Sequence, residues 1–290
     1  MTFGPALETP VVSTQWLADY LGADSLVVLD ASVLQFVQPD GSNAYTTGHE
    51  SFLLHGHVPG ARFADVIEEL SDPDGDYPFT RPSAARFASA VGGLGIDNET
   101  TVVIYDSLVG QWAARVWWLF RAFGYDRVAV LDGGFTKWLA EERPTEIGHV
   151  PSPRVTFAAV ERPELWVDKA FVEGVLRGEN DASLVCASPA REFNGESVPR
   201  PRAGHIPGSV SVPAATLVDR ESNALVADRE LREKFAPALG SSRIVLYCGG
   251  GIAAAAAALA LVSLGEKAVS VYDGSLNEWA ADPDAALDVA

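Results

Sequence analysis

"IVLYCGGGIAAAAAALAL", residues 244–261, sets one of only two cysteines between a short apolar run and three glycines, with an alanine-rich stretch behind them. The apolar run reads as a buried strand, and the residues from about Ile252 to Leu264 read as a helix, alanine being the strongest helix former. Cys248 therefore ends a strand and precedes a helix. The alanines carry no chemistry; their small side chains allow close packing on a sheet.

Three segments of the chain recur in the same order. "GHVPGARF" (56–63) matches "GHIPGSVS" (204–211), "VVIYD" (102–106) matches "IVLYC" (244–248), and "VLDGGFTKW" (130–138) matches "VYDGSLNEW" (271–279). Asp106 lies 26 residues before Asp132, and Cys248 lies 25 before Asp273, so the spacing is kept as well. A period this long means a duplicated domain with a core in each copy, not a solenoid. The polar, proline-bearing stretch that begins at Glu141 separates the copies. The expected domains are 1–145 and 164–290, joined by a linker at 146–163.

Other short apolar runs, such as "SLVVLD" and "RVAVLD", alternate with segments of helical length such as "GQWAARVWWLFRAFG". Strands that are apolar throughout belong to parallel sheets covered on both faces, so each half is an α/β domain with a parallel sheet between helices. In such sheets ligands bind beyond the carboxyl ends of the strands. Cys248 sits there, and Asp106 takes the matching place in the first half.

Composition narrows the possible roles. The chain has 290 residues, 48% hydrophobic, with seven Trp and thirteen Phe, which is ample for two cores. A net charge of −18 argues against binding nucleic acid or an anionic membrane. The start "MTFGPALETP" lacks the features of a signal peptide and no apolar run is long enough to span a bilayer, so the expected location is the cytoplasm. Cys186 and Cys248 have neither disulfide-framework nor zinc-site spacing. His57 and His205, in the paired "GH[VI]PG" turns, are expected to be scaffold residues, and Trp117 and Trp118 to fill the core and the domain interface.

Three glycines after the cysteine allow positive φ angles that turn N–H groups toward one point, and the helix N-terminus adds partial positive charge. Such a cradle stabilises an anionic sulfur: the thiolate, which is the nucleophilic form, or a persulfide. A buried structural cysteine beside a glycine turn is the bland alternative.

With the "GHIPG" turn, the strand ending in Cys before a glycine-rich loop, and the later "DG…W" in this order, the chain resembles the tandem-domain rhodaneses, the thiosulfate and 3-mercaptopyruvate sulfurtransferases. The resemblance covers nearly the whole chain and implies two rhodanese-like domains, the first lacking the catalytic cysteine and carrying Asp106 in its place. It implies that Cys248 takes a sulfane sulfur from a small anionic donor, holds it as a persulfide and passes it to a thiophilic acceptor such as cyanide, a thiol or a thioredoxin-like protein. No metal or organic cofactor is implied. Backbone N–H groups of Gly249, Gly250, Gly251, Ile252 and Ala253 would hold the persulfide. Phosphatases of this fold close a longer loop with an Arg six positions after the Cys, where Ala254 stands, so phosphatase activity is not expected.

The chain departs from the family upstream, where the usual "DAR" or "DSR" with a further Arg before an aromatic reads "CASPAREF". Cys186 replaces the Asp, Ser188 the first Arg and Glu192 the second. Arg191, Arg200 and Arg202 remain as candidates to neutralise a donor's carboxylate or sulfonate. Since the resemblance places the strand of Cys186 beside that of Cys248, Cys186 is expected near the base of the loop, buried and inert. A persulfide carrier and a thiol redox sensor stay open as alternatives to an enzyme.

Overall fold

The computed structural model describes residues 4–39, 43–197 and 200–289. Among the described residues twelve short strands are formed: β1 (Val11–Val12), β2 (Leu26–Asp30), β3 (Val33–Val37), β4 (Asn43–Thr47), β5 (Arg62–Phe63), β6 (Thr101–Tyr105), β7 (Val128–Leu131), β8 (Trp166–Val167), β9 (Ser183–Cys186), β10 (Val210–Ser211), β11 (Ile244–Tyr247) and β12 (Val269–Tyr272). The chain divides into two compact units. One holds the residues up to Pro73 with Arg81–Glu161 and Asp219–Ala224; the other holds Asp74–Thr80, Arg162–Val218 and the residues from Leu225 on.

Each unit is built on a five-stranded parallel sheet, ordered β5-β2-β6-β7-β1 in the first and β10-β9-β11-β12-β8 in the second. The order is the same when equivalent strands are matched, which gives the sequence repeat its structural content. The central strands β6 and β11 are buried along their whole length, as unbroken apolar runs covered on both faces must be. The antiparallel pair β3–β4 of the first unit has no counterpart among the described residues of the second.

The repeated motifs pack in the same way in both units. The Tyr105 and Tyr247 hydroxyls each accept the N–H of the residue after the turn histidine, Val58 and Ile206, at 3.1 Å. His57 stacks on Phe52 and bonds the carbonyls of Val58 and Gly148; His205 stacks on Phe193 and bonds its carbonyl. Both histidines are buried, as scaffold residues should be. The tryptophans that end the third repeated segment, Trp138 and Trp279, donate Nε1–H to the carbonyls of Pro144 and Ala286, both at 2.8 Å. Trp117 and Trp118 are buried on the helix Gln111–Ala122.

From residue 148 to 162 the chain forms no regular element, yet it is held to the first unit. Val155 and Val160 donate N–H to the carbonyls of Gly92 and Phe123, both at 2.9 Å, and Phe157 is buried against Phe87, Phe120 and Tyr125. Among the described residues no helix is long and apolar enough to cross a membrane.

Candidate active site

In the second unit Cys248 follows the last residue of β11, at the carboxyl end of the central strand, and the helix Ile252–Ser263 begins four residues later. The helix Ser275–Trp279 grips the intervening loop. Its Leu276 N–H donates to the Cys248 carbonyl at 3.0 Å and its Asn277 N–H to the Gly249 carbonyl at 2.9 Å. Ser275 Oγ accepts the Cys248 N–H at 3.2 Å and donates to the Tyr272 carbonyl at 2.7 Å. Ser275 is fully buried with φ of 49°, a left-handed conformation uncommon for a residue with a side chain. The sequence reading did not single out Ser275 or Asn277. The available signal was the change from "DGGF" in the first repeat to "DGSL" in the second.

Of the three loop glycines only Gly251, with φ of 81°, is left-handed; this corrects the expectation that all three supply positive φ. Gly249 and Gly250 instead stand where a side chain would crowd its neighbours. A side chain on Gly249 would collide with the Arg200 guanidinium, and one on Gly250 would approach Asn277 Nδ2 to 3.0 Å and the Pro78 carbonyl to 3.4 Å.

The first unit contains the same strand, loop and helix with its anion built in. Asp106 is fully buried, and its carboxylate accepts four backbone N–H groups. Oδ1 takes those of Leu108 (2.8 Å) and Gly110 (3.0 Å), and Oδ2 takes those of Trp112 and Ala113 (both 3.0 Å). The first N–H groups of a helix have no acceptor within it, so these donors converge on whatever occupies the loop. Burial raises the Asp106 carboxyl above its ordinary value, and these four bonds oppose the shift. Left-handed Gly110 and Gly251 mark equivalent loop ends, and the helices after them are each twelve residues long. The one-residue difference in repeat spacing therefore lies inside the loop: Gly110 is four residues after Asp106, Gly251 three after Cys248.

Cys186 and Cys248 are both buried, free thiols. β9 lies beside β11 with Cys186 in register with Tyr247. Burial pushes the Cys186 thiol up to about 11, and the neighbouring Cys248 pushes in the same direction. At the equivalent place of the first unit stands Asp30, whose carboxyl burial raises to about 6.

Of the three arginines, the structure brings Arg200 to the loop. Its Nη1 pairs with Glu192 Oε2 at 2.9 Å and its Nε donates to Asn277 Oδ1 at 3.2 Å. Arg191 is 78% exposed and pairs with Glu196. Arg202 donates to the carbonyls of Trp279, Ala280, Asp282, Pro283 and Ala285, which ties down the chain after the helix Ser275–Trp279.

This doubled architecture has known relatives. The model of the Rhodanese-like domain matches residues 13–141 and again 176–282. The chain belongs to the tandem rhodanese sulfurtransferase family. It is 35% identical over 277 residues to 3-mercaptopyruvate sulfurtransferase of Escherichia coli K12, covering 94% of this chain and 95% of that one. It is 36% identical over 284 residues to thiosulfate sulfurtransferase of Gallus gallus, covering 94% of each chain. The crystal structure of SseA from Escherichia coli, described as having the "Rhodanese" fold of 3-mercaptopyruvate sulfotransferases, superposes with a TM-score of 0.81 at 34% identity, over 92% of this chain and 98% of that one. The protein is thus a sulfurtransferase with two rhodanese-like domains, each an α/β unit on a parallel sheet, as the resemblance implied.

Proposed function

We propose that this rhodanese-family sulfurtransferase moves a sulfane sulfur from thiosulfate or 3-mercaptopyruvate to a thiophilic acceptor through a persulfide on Cys248. The observation that carries the reading is the first unit's loop, where four N–H groups close on the Asp106 carboxylate. Cys248 stands at the same point of the same strand, loop and helix, so its backbone N–H groups from Gly249 to Ala253 are read as favouring an anion that Cys248 acquires in the reaction.

In the first step the Cys248 thiolate attacks the outer sulfur of the donor. With thiosulfate the S–S bond breaks and sulfite leaves. With 3-mercaptopyruvate the C–S bond breaks and the thiol proton ends on the methyl carbon of pyruvate. Either way Cys248 carries the extra sulfur as an anionic persulfide. In the second step the acceptor, such as cyanide or a thiolate, attacks that outer sulfur, the new S–S bond breaks, and the Cys248 thiolate returns. Arg200 supplies the positive charge for the donor, while Arg191 and Arg202 act elsewhere, one on the surface and the other in holding the C-terminal segment.

Cyanolysis with each donor tests the reading. Wild-type protein turns over with at least one donor, and Cys248→Ser with none. Turnover retained by Cys248→Ser overturns the assignment, and stoichiometric sulfur release without turnover supports the persulfide carrier in its place.

A further inference from the structure

Arg200 reaches the loop through a gap that only glycine leaves. Any side chain at position 249 would collide with its Nη2, the Cζ standing 3.4 Å from where a Cβ would be. The other two edges of the guanidinium are already committed, Nη1 to Glu192 and Nε to Asn277. Asn277 is in turn bound to the loop itself by its N–H on the Gly249 carbonyl, and its Nδ2 faces Gly250. Arg200 and Glu192 are mostly buried, with side chains 15% and 19% exposed, so their charges act with little screening. The edge carrying Nη2 is the one turned toward the loop.

We propose that Gly249, Glu192 and Asn277 form an interlock that presents the Nη2 edge of Arg200 to the donor's anionic group, and that Glu192 sets the donor charge this site prefers. The proposal rests on the sulfurtransferase reading of Cys248 and deepens it. A fork-shaped guanidinium can bind Glu192, Asn277 and a ligand on three different edges at once, whereas a lysine ammonium cannot reproduce that arrangement. Glu192 neutralises part of the charge, so the interlock offers less than one full positive charge to the donor. That suits a monoanion such as 3-mercaptopyruvate better than a dianion such as thiosulfate. Glu192 and Asn277 are positioning residues; Arg200 makes the contact.

The test is steady-state sulfur transfer to cyanide with each donor. Arg200→Ala and Arg200→Lys should raise KM for 3-mercaptopyruvate and lower kcat/KM about tenfold to a hundredfold, the range for losing one charge-assisted hydrogen bond. Gly249→Ala should do the same by displacing the guanidinium, since Gly249 is not left-handed and its backbone accepts alanine. In Gly249→Ala combined with Arg200→Ala the loss should equal that of Arg200→Ala alone; additive losses overturn the interlock. Glu192→Gln, which keeps the shape of the pair and removes its negative charge, should raise the ratio of kcat/KM for thiosulfate to that for 3-mercaptopyruvate at least severalfold. An unchanged ratio overturns the charge assignment. Persulfide formation on Cys248, read by mass spectrometry at saturating donor, should persist in Arg200→Ala. A wild-type protein that forms no persulfide refutes the underlying reading instead.

Discussion

The backbone carbonyls of Asp106 and Cys248 each accept an N–H at 3.0 Å from the residue three places after a repeated aspartate, Phe135 for one and Leu276 for the other. The two side chains thus leave equivalent points of two copies of one scaffold, and they differ in what they give the loop. Asp106 closes its own loop with a carboxylate. Cys248 instead brings a sulfur atom to that point, the one on which the proposed persulfide forms. Replacing Asp106 with Ala should therefore orphan four buried donors and cost about 2–4 kcal/mol of unfolding free energy, the four bonds being partly offset by the cost of burying the carboxylate. Urea denaturation measures it, and a loss below about 0.5 kcal/mol would mean that the four bonds add nothing net.

Asp30 gives the first unit a pH response of unusual sign. Its carboxyl is pushed up to about 6 from the ordinary 3.8, chiefly by burial, with the neighbouring Asp106 adding to the shift and Ser32 and Tyr105 opposing it. The folded protein therefore binds this proton more tightly than the unfolded chain does. Its contribution is complete below about pH 4 and is lost as pH rises through 6, up to about 3 kcal/mol. Asp30→Asn keeps an acceptor for the Ser32 N–H, 2.8 Å away, and removes the titration. Relative to wild type, this variant should gain stability steadily between pH 4 and pH 7. A difference that stays constant over that range would place the Asp30 carboxyl near its ordinary value.

Ser275 holds a left-handed backbone at the place where the first unit has Gly134, with φ of 54°. A side chain at Gly134 would meet the Asp106 carbonyl at 2.6 Å, so the first unit has no room for serine there. In the second unit Ser275 accepts the strain and links the Cys248 N–H to the Tyr272 carbonyl. Ser275→Ala loses both bonds and keeps the strain, whereas Ser275→Gly loses the bonds and relieves it. The alanine variant should be less stable than the glycine variant by about 1 kcal/mol, and both should lower kcat/KM roughly tenfold by loosening Cys248. Equal stability of the two variants would show that the left-handed angle carries no strain.

What could be read from the sequence was set by what repeats. The matched segments 102–106 and 244–248 are the central strands, the "GH[VI]PG" turns are pinned by Tyr105 and Tyr247, and the paired "DG…W" ends are tied by Trp138 and Trp279, so local patterns carried the doubled parallel sheet. The place of Cys248 between strand and helix was also legible, and the chemistry proposed for it starts from that place. The contacts around it did not, because they join residues far apart in the chain: Arg200 reaches Asn277, 77 positions away, and Pro78 approaches Gly250. Glycines show the same limit. In sequence Gly249, Gly250 and Gly251 look alike, yet the first two stand where a side chain would crowd its neighbours and only the third is left-handed.

Cys186 decides whether the second thiol takes part. It is fully buried, in register with Tyr247 on the neighbouring strand, and its thiol is pushed up to about 11, largely by burial. At pH 8 about one molecule in a thousand then carries the Cys186 thiolate, and a thiol attacks a persulfide or disulfide only as the thiolate. A Cys186–Cys248 disulfide should therefore form slowly even though Cys248 lies near enough to push the Cys186 thiol up. Cys186→Ser should keep kcat/KM within about threefold of wild type, since the hydroxyl is a close substitute for a protonated thiol in this setting. Iodoacetamide at pH 8 should leave Cys186 unmodified in the native protein and label it in urea, with mass spectrometry of the peptide spanning 183–191 as the readout. If mild oxidant instead joins the two cysteines within minutes and thioredoxin reverses the bond, Cys186 is a resolving thiol and the protein a redox switch as well as a sulfurtransferase.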